Sequence, residues 1–143
     1  MPHQPKAFLA CYLILNKADK TLLIRRFNTG YEDGNYSLIG GHIEDGETAY
    51  ATMKREAKEE AGLEIDEGDL RVIHVLHRKT ATREYIEMFL TADVDKEPRN
   101  VEPEKCDEMK WVSSESLPSN TIDYIRFVLE RVAAGEAYSE FGF

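Results

Sequence analysis

Apolar positions along this chain keep two rhythms, one that fits strands and one that fits helices. Residues 7–15 (AFLACYLIL) form a near-continuous apolar run, the pattern of a strand covered on both faces. Residues 16–20 read as a turn and residues 21–27 (TLLIRRF) as a second strand, so the two runs predict a hairpin. Residues 28–35 (NTGYEDGN) are a polar, glycine-containing loop. Residues 36–41 (YSLIGG) lead out of it into residues 48–61, where four alanines and no Gly or Pro predict a helix stopped by Gly62. Met53, Ala57 and Ala61, with Tyr50, then share one stripe at helical spacing and predict its core side.

Beyond a loop at residues 65–68, residues 70–80 and 83–94 read as two strands around a short turn. His74 and His77 fall in the first of them, three apart on opposite faces, which suits packing or a substrate wall better than a shared metal site. Residues 96–105 (KEPRNVEPEK) are a long polar loop, and residues 106–113 (CDEMKWVS) a last strand with Trp111 expected in the core. Residues 119–134 carry Ile122, Ile125, Leu129, Val132 and Ala133 at helical spacing, with Ser119 or Asn120 as the expected cap. The tail, residues 135–143 (GEAYSEFGF), keeps three aromatics to dock on this chain or on a partner.

Chemistry concentrates on the first helix. Glu56, Glu59 and Glu60 stand at i, i+3 and i+4 and therefore share a face beside the apolar stripe. A solvated flank is the ordinary reading of such a face. It fits poorly here because like charges four apart, as Glu56 and Glu60 are, destabilise a helix. Clustered carboxylates do suit a hard cation such as Mg²⁺, which takes oxygen ligands and shares them with substrate phosphates.

The stretch from Gly41 to Leu63 resembles the Nudix box, G-x5-E-x7-R-E-U-x-E-E-x-G-U with U aliphatic. It matches at Gly41, Glu47, Arg55, Glu56, Ala57, Glu59, Glu60, Gly62 and Leu63, with Ala57 small for its position. The resemblance implies a Nudix-type α/β/α sandwich with a mixed β-sheet between helices, extending over residues 1–143 as one domain. It also implies Mg²⁺, with Mn²⁺ able to substitute. The metal would be held by Glu56, Glu59 and Glu60, the Gly40 carbonyl, and one further glutamate of the polar loop, Glu102 or Glu104. Glu47 and Arg55 would brace the loop and helix. Similarity to MutT-like members further suggests a phosphate contact from Arg25 or Arg26, and a purine-reading role for Asn120 as the alternative to a helix cap. Many relatives carry W-x-x-P-G-G before the box, from which Tyr36 and Ile39 depart.

Composition narrows the partners. A chain of 143 residues with 42% apolar and 31% charged residues is ordinary for one soluble domain. No apolar run is long enough to span a membrane, and the start MPHQPKAF lacks a leader pattern, so a cytoplasmic location is expected. A net charge of −9 argues against binding a nucleic acid polymer, and it sits awkwardly with the small nucleotide substrate that the resemblance implies unless divalent ions at the acidic face resolve the conflict locally. Cys11 and Cys106 have no metal-ligand spacing and no activating neighbours, which disfavours an isomerase that uses a cysteine.

The expected reaction is hydrolysis of a pyrophosphate bond by a MutT-like nucleoside triphosphate pyrophosphohydrolase acting on a purine, including modified ones. The alternative is an ADP-sugar or other nucleoside diphosphate-X hydrolase. A non-enzymatic nucleotide-binding module would be expected to lose box carboxylates, and none is missing. The sequence leaves monomer and homodimer open.

Overall fold

The computed structural model describes residues 3–143; the first two positions of the N-terminal stretch, read above for a leader, lie outside them. In chain order the elements are β1 (Phe8–Ile14), β2 (Asn16–Lys17), β3 (Lys20–Arg26), β4 (Tyr36–Ser37), β5 (Ile39–His42), α1 (Ala49–Ala61), β6 (Leu70–Lys79), β7 (Glu84–Ala92), β8 (Cys106–Ser113), α2 (Asp123–Ala133) and β9 (Tyr138–Phe141), with a short 3-10 turn at Glu67–Asp69.

Two sheets form. A mixed five-stranded sheet runs in the order β5-β1-β7-β6-β9, with β1 parallel to β7 and β9 parallel to β6. In the second sheet β8 runs antiparallel along the whole of β3, while β2 and β4 pair with its two ends.

The alternation of β1 shows how both faces are covered. Cys11, Leu13 and Leu15 join one core cluster with Met53, Ala57 and Ala61 of α1. Ile14 and Tyr12 turn to a second cluster with Ile125, Val128 and Leu129 of α2. Two helices on opposite faces make the expected α/β/α layering, and they explain why the run 7–15 is apolar on both sides.

Three expectations are corrected. β1 does not form a hairpin with the next long strand: the chain crosses from the first sheet to the second at Leu15, and the hairpin partner of β3 is the two-residue β2. The last helix starts at Asp123 rather than Ser119. Residues before it are held by β4 instead, where Ile122 N donates to Tyr36 O at 2.9 Å and Thr121 bridges Tyr36. Its N-cap position is Ile122 with no side-chain cap, so neither Ser119 nor Asn120 caps it. Trp111 is only half-buried, packing against the first cluster and donating from Nε1 to Glu97.

The tail docks on this chain, as β9. His74, buried, meets the Glu136 carbonyl at 2.8 Å and Ser139 Oγ at 2.7 Å, and so holds the tail to β6. His77 pairs with Glu84 at 2.6 Å.

Candidate active site

Helix α1 is set by its ends. Thr48 at the N-cap accepts from Ala51 N, and Gly62 at φ 65° closes the C-terminus with its N–H on Ala57 O and Lys58 O. A Cβ on Gly62 would lie 2.9 Å from Arg99 Nε, so the loop 96–105 is packed against this stop. Arg99 N also donates to Ala61 O and Val101 N to Glu60 O, which brings the loop beside the acidic face.

On that face Arg55 is the hub. Its Nε and Nη2 donate to Glu47 Oε2 and Oε1 at 2.8 and 3.0 Å, and its Nη1 to Glu56 Oε1 at 2.8 Å and Glu59 Oε2 at 3.3 Å. Glu47 also accepts from Thr52 Oγ1 and from the Glu44 amide, tying the loop to the helix. These bonds, led by that from Arg55, bring the Glu47 carboxyl down to about 2, and the same bond raises Arg55.

Glu60 behaves oppositely. It accepts one hydrogen bond, from Gly40 N at 3.1 Å, and burial followed by the adjacent Glu56 carboxyl raises it well above the usual carboxylate range. Gly41 leaves the room Glu56 needs, since a Cβ there would stand 2.5 Å from Glu56 Oε1.

A cleft of about 490 Å³ opens over these groups, lined by Glu44, Arg55, Glu56, Glu59, Glu60 and Glu102 with Arg26 opposite. Of the two loop glutamates only Glu102 lines it; Glu104 is exposed elsewhere. Burial raises Glu102, and Glu104, Glu59 and Glu56 add to the rise while Lys105 opposes it.

The arginine pair divides. Arg26 lines the cleft, held by Tyr31 O at 2.6 Å and Thr29 Oγ1 at 3.0 Å. Arg25 points to β8, where its Nε donates to Asp107 at 2.7 Å, and it lines no cavity with the glutamates. Asn120 is also elsewhere: its Nδ2 donates to Gly34 O at 2.8 Å, which commits the amide to the base of the 28–35 loop.

A second cavity of about 400 Å³ shares Arg26 with the first and is floored by Gly40 and Gly41. Its wall contains an ion pair that the sequence reading missed, Arg78 on β6 with Glu87 on β7, at 2.6 Å and with side chains 6% and 0% exposed. Glu87 could have been noticed, because strand alternation puts it on the same face as Phe89, inside an otherwise apolar stretch.

Among the described residues no three His, Cys, Asp or Glu side chains stand as a preformed metal cluster. The donor set nevertheless fits a hard cation. Glu60 is a half-buried carboxyl with a single protein hydrogen bond, beside a second carboxyl that raises its proton affinity, and a cation would reverse that sign.

The sequence model of the NUDIX domain family matches residues 5–130. The chain belongs to the NUDIX domain family. Among solved structures, this Nudix chain is similar to a MutT NUDIX hydrolase from Burkholderia pseudomallei, at 26% identity and a TM-score of 0.79, with 91% of this chain and 99% of that one covered. A MutT protein from Methanosarcina mazei Go1 shares the fold at 19% identity and a TM-score of 0.76, over 93% of this chain and 97% of that one. Among curated proteins, it is 26% identical over 116 residues to the NAD-capped RNA hydrolase NudC of Vibrio vulnificus, and 46% identical over 50 residues to an ADP-ribose pyrophosphatase of Methanocaldococcus jannaschii. Those matches cover 81% and 35% of this chain, which spans 42% and 29% of the two relatives' lengths. Among the described residues no helix is long and apolar enough to cross a membrane.

Proposed function

We propose that this Nudix chain hydrolyses a pyrophosphate bond with Mg²⁺, or Mn²⁺ in its place, and that its substrate is a purine nucleoside triphosphate, cleaved to the monophosphate and pyrophosphate. The observation that carries the reading is the cleft itself: Glu56, Glu59, Glu60 and Glu102 line one space together with Arg26, and Arg26 also lines a second cavity of about 400 Å³ bordered by Gly40 and Gly41, room enough for a nucleoside.

Glu56, Glu59 and Glu60 would hold the cation, with the Gly40 carbonyl as a further oxygen donor. When bound, the cation supplies neutralisation of the diphosphate and raises the acidity of nearby water.

The chain's own residues do the rest. Arg55 fixes one oxygen each of Glu56 and Glu59, and Glu47 fixes Arg55 from behind. Arg26, its guanidinium aimed by Tyr31 and Thr29, contacts substrate phosphate from the opposite wall. Glu102, with a carboxyl raised by burial, takes the proton of the attacking water.

The 46% identity over 50 residues to an ADP-ribose pyrophosphatase favours a second reading, a nucleoside diphosphate linked to a sugar. A panel of nucleoside triphosphates, oxidised purine triphosphates, ADP-ribose and dinucleoside polyphosphates, assayed with Mg²⁺ or Mn²⁺ and with products identified, separates the two. Release of monophosphate and pyrophosphate supports the first reading, and turnover confined to diphosphate-linked sugars replaces it with the second.

A further inference from the structure

We propose that Arg78 selects the base of the substrate, favouring a 6-oxopurine over a 6-aminopurine. The proposal rests on the reading that this chain acts on nucleotides, and it adds which kind.

Arg78 is held in one orientation. Its Nε donates to Glu87 Oε1 at 2.6 Å and its Nη2 to Glu87 Oε2 at 3.1 Å, while its guanidinium lies 4.1 Å from the Tyr85 ring and 3.7 Å from that of Tyr124. Glu87 accepts a third bond from the Tyr12 hydroxyl at 3.1 Å, and that hydroxyl stands 3.2 Å from Tyr124 Oη. Burying an ion pair this deeply gains little stability over apolar packing of the same volume, so stability alone does not account for it.

The arrangement does account for recognition. Among the described residues nothing accepts from Arg78 Nη1, although the side chain is 6% exposed and lines the second cavity. The Glu87 oxygens are taken up by Arg78 and Tyr12. The wall therefore offers a ligand fixed N–H donors with no free carboxylate beside them. A guanidinium edge of that kind matches the paired acceptors O6 and N7 of guanine or hypoxanthine. Adenine brings an amino donor where O6 would be, setting donor against donor and leaving both unpaired. Gly40, Gly41 and Arg26 border this cavity, and Gly40 bonds Glu60 while Gly41 lies against Glu56, so a base seated here has its phosphates on the side of the glutamates.

The test is calorimetric binding of inosine and adenosine monophosphates, and of guanosine monophosphate against its 7-deaza analogue, to the whole chain with Mg²⁺. The first couple differs at the 6-substituent, with the coupled change at N1, and the second only at N7, so each probes one member of the acceptor pair. The expected result is inosine monophosphate at least ~10-fold tighter than the adenosine compound, and a several-fold loss for 7-deaza, on the scale of bidentate base recognition. Arg78→Gln, checked by thermal melting to be folded, should bring the inosine-to-adenosine ratio to within ~3-fold, because an amide serves acceptors and donors alike. Equal or tighter adenosine binding, no monophosphate binding at all, or a wild-type ratio in Arg78→Gln would overturn the proposal. If Arg78→Gln does not fold, the 7-deaza comparison in the unaltered protein decides. A base preference measured in a protein that hydrolyses no nucleotide would sink the proposed activity and leave this inference standing.

Discussion

Two carboxyls on the same short stretch are driven in opposite directions, and each direction has a measurable consequence. Glu47 gains hydrogen bonds from Arg55, Thr52 and the Glu44 amide, and its carboxyl drops to about 2 from the ordinary value of roughly 4.3. A carboxyl lowered on folding stabilises the native state above the unfolded value, and that contribution is lost as pH falls toward the folded one. Glu47→Gln should therefore lower Tm at pH 7 and cost progressively less between about pH 4 and pH 2. Melting curves across that range check it, and a deficit that stays constant with pH would contradict the ion pair. Glu60 is its counterpart, and in the proposed activity it holds the cation. Glu60→Gln is expected to lower kcat by at least ~10²-fold with the fold intact, the scale of a lost acid/base or metal-holding group. Single-turnover rates beside circular dichroism of the same sample would show it.

Helix α1 can be judged as an element because each of its ends does separate work. Thr48→Ala removes an N-cap and should cost about 1 kcal/mol, roughly 3 °C in Tm. Gly62→Ala puts a Cβ at φ 65° and within 2.9 Å of Arg99 Nε, so it should cost about 1–2 kcal/mol and shift Arg99 and its loop. Urea titration of both variants tests the pair, and a neutral Gly62→Ala would mean that the loop is not packed on the stop. These ends were legible in the chain because cap chemistry is local: Thr48 and Gly62 signal a start and a stop whatever surrounds them. The apolar stripe of Met53, Ala57 and Ala61 was equally legible, since periodicity records which face is covered. Pairing partners were not. Nothing local says that β1 leaves its neighbour at Leu15 and that β3 takes β8 from nearly ninety positions away, because strand partners are chosen by long-range packing. The same limit applies to the site. The box placed Glu47, Arg55 and the three glutamates, whereas only the fold separates Arg26 from Arg25, Glu102 from Glu104, and Asn120 from the cavity it was expected to line.

At the scale of the whole molecule, the proposed activity asks a chain of net charge −9 to draw a polyanion into a cleft lined by carboxylates. Cation binding removes the conflict, and the apo protein should be strained by its absence. Glu60 is half-buried with the Glu56 carboxyl beside it, so without a cation near neutral pH its charged form weakens the folded state. Glu60→Gln relieves that repulsion while its amide oxygen still accepts from Gly40 N, so the variant should melt at or above the wild-type temperature in the presence of a chelator. Added Mg²⁺ or Mn²⁺ at about 100 times its dissociation constant should stabilise the wild type by about 2.7 kcal/mol and the variant much less. The two melting curves therefore cross as the cation is titrated. A loss of folding energy would displace the variant downward at every concentration, whereas a lost ligand reverses the order of the two proteins. Scanning calorimetry with chelator and with each cation distinguishes them, and parallel curves without a crossing would rule out Glu60 as a metal-holding group.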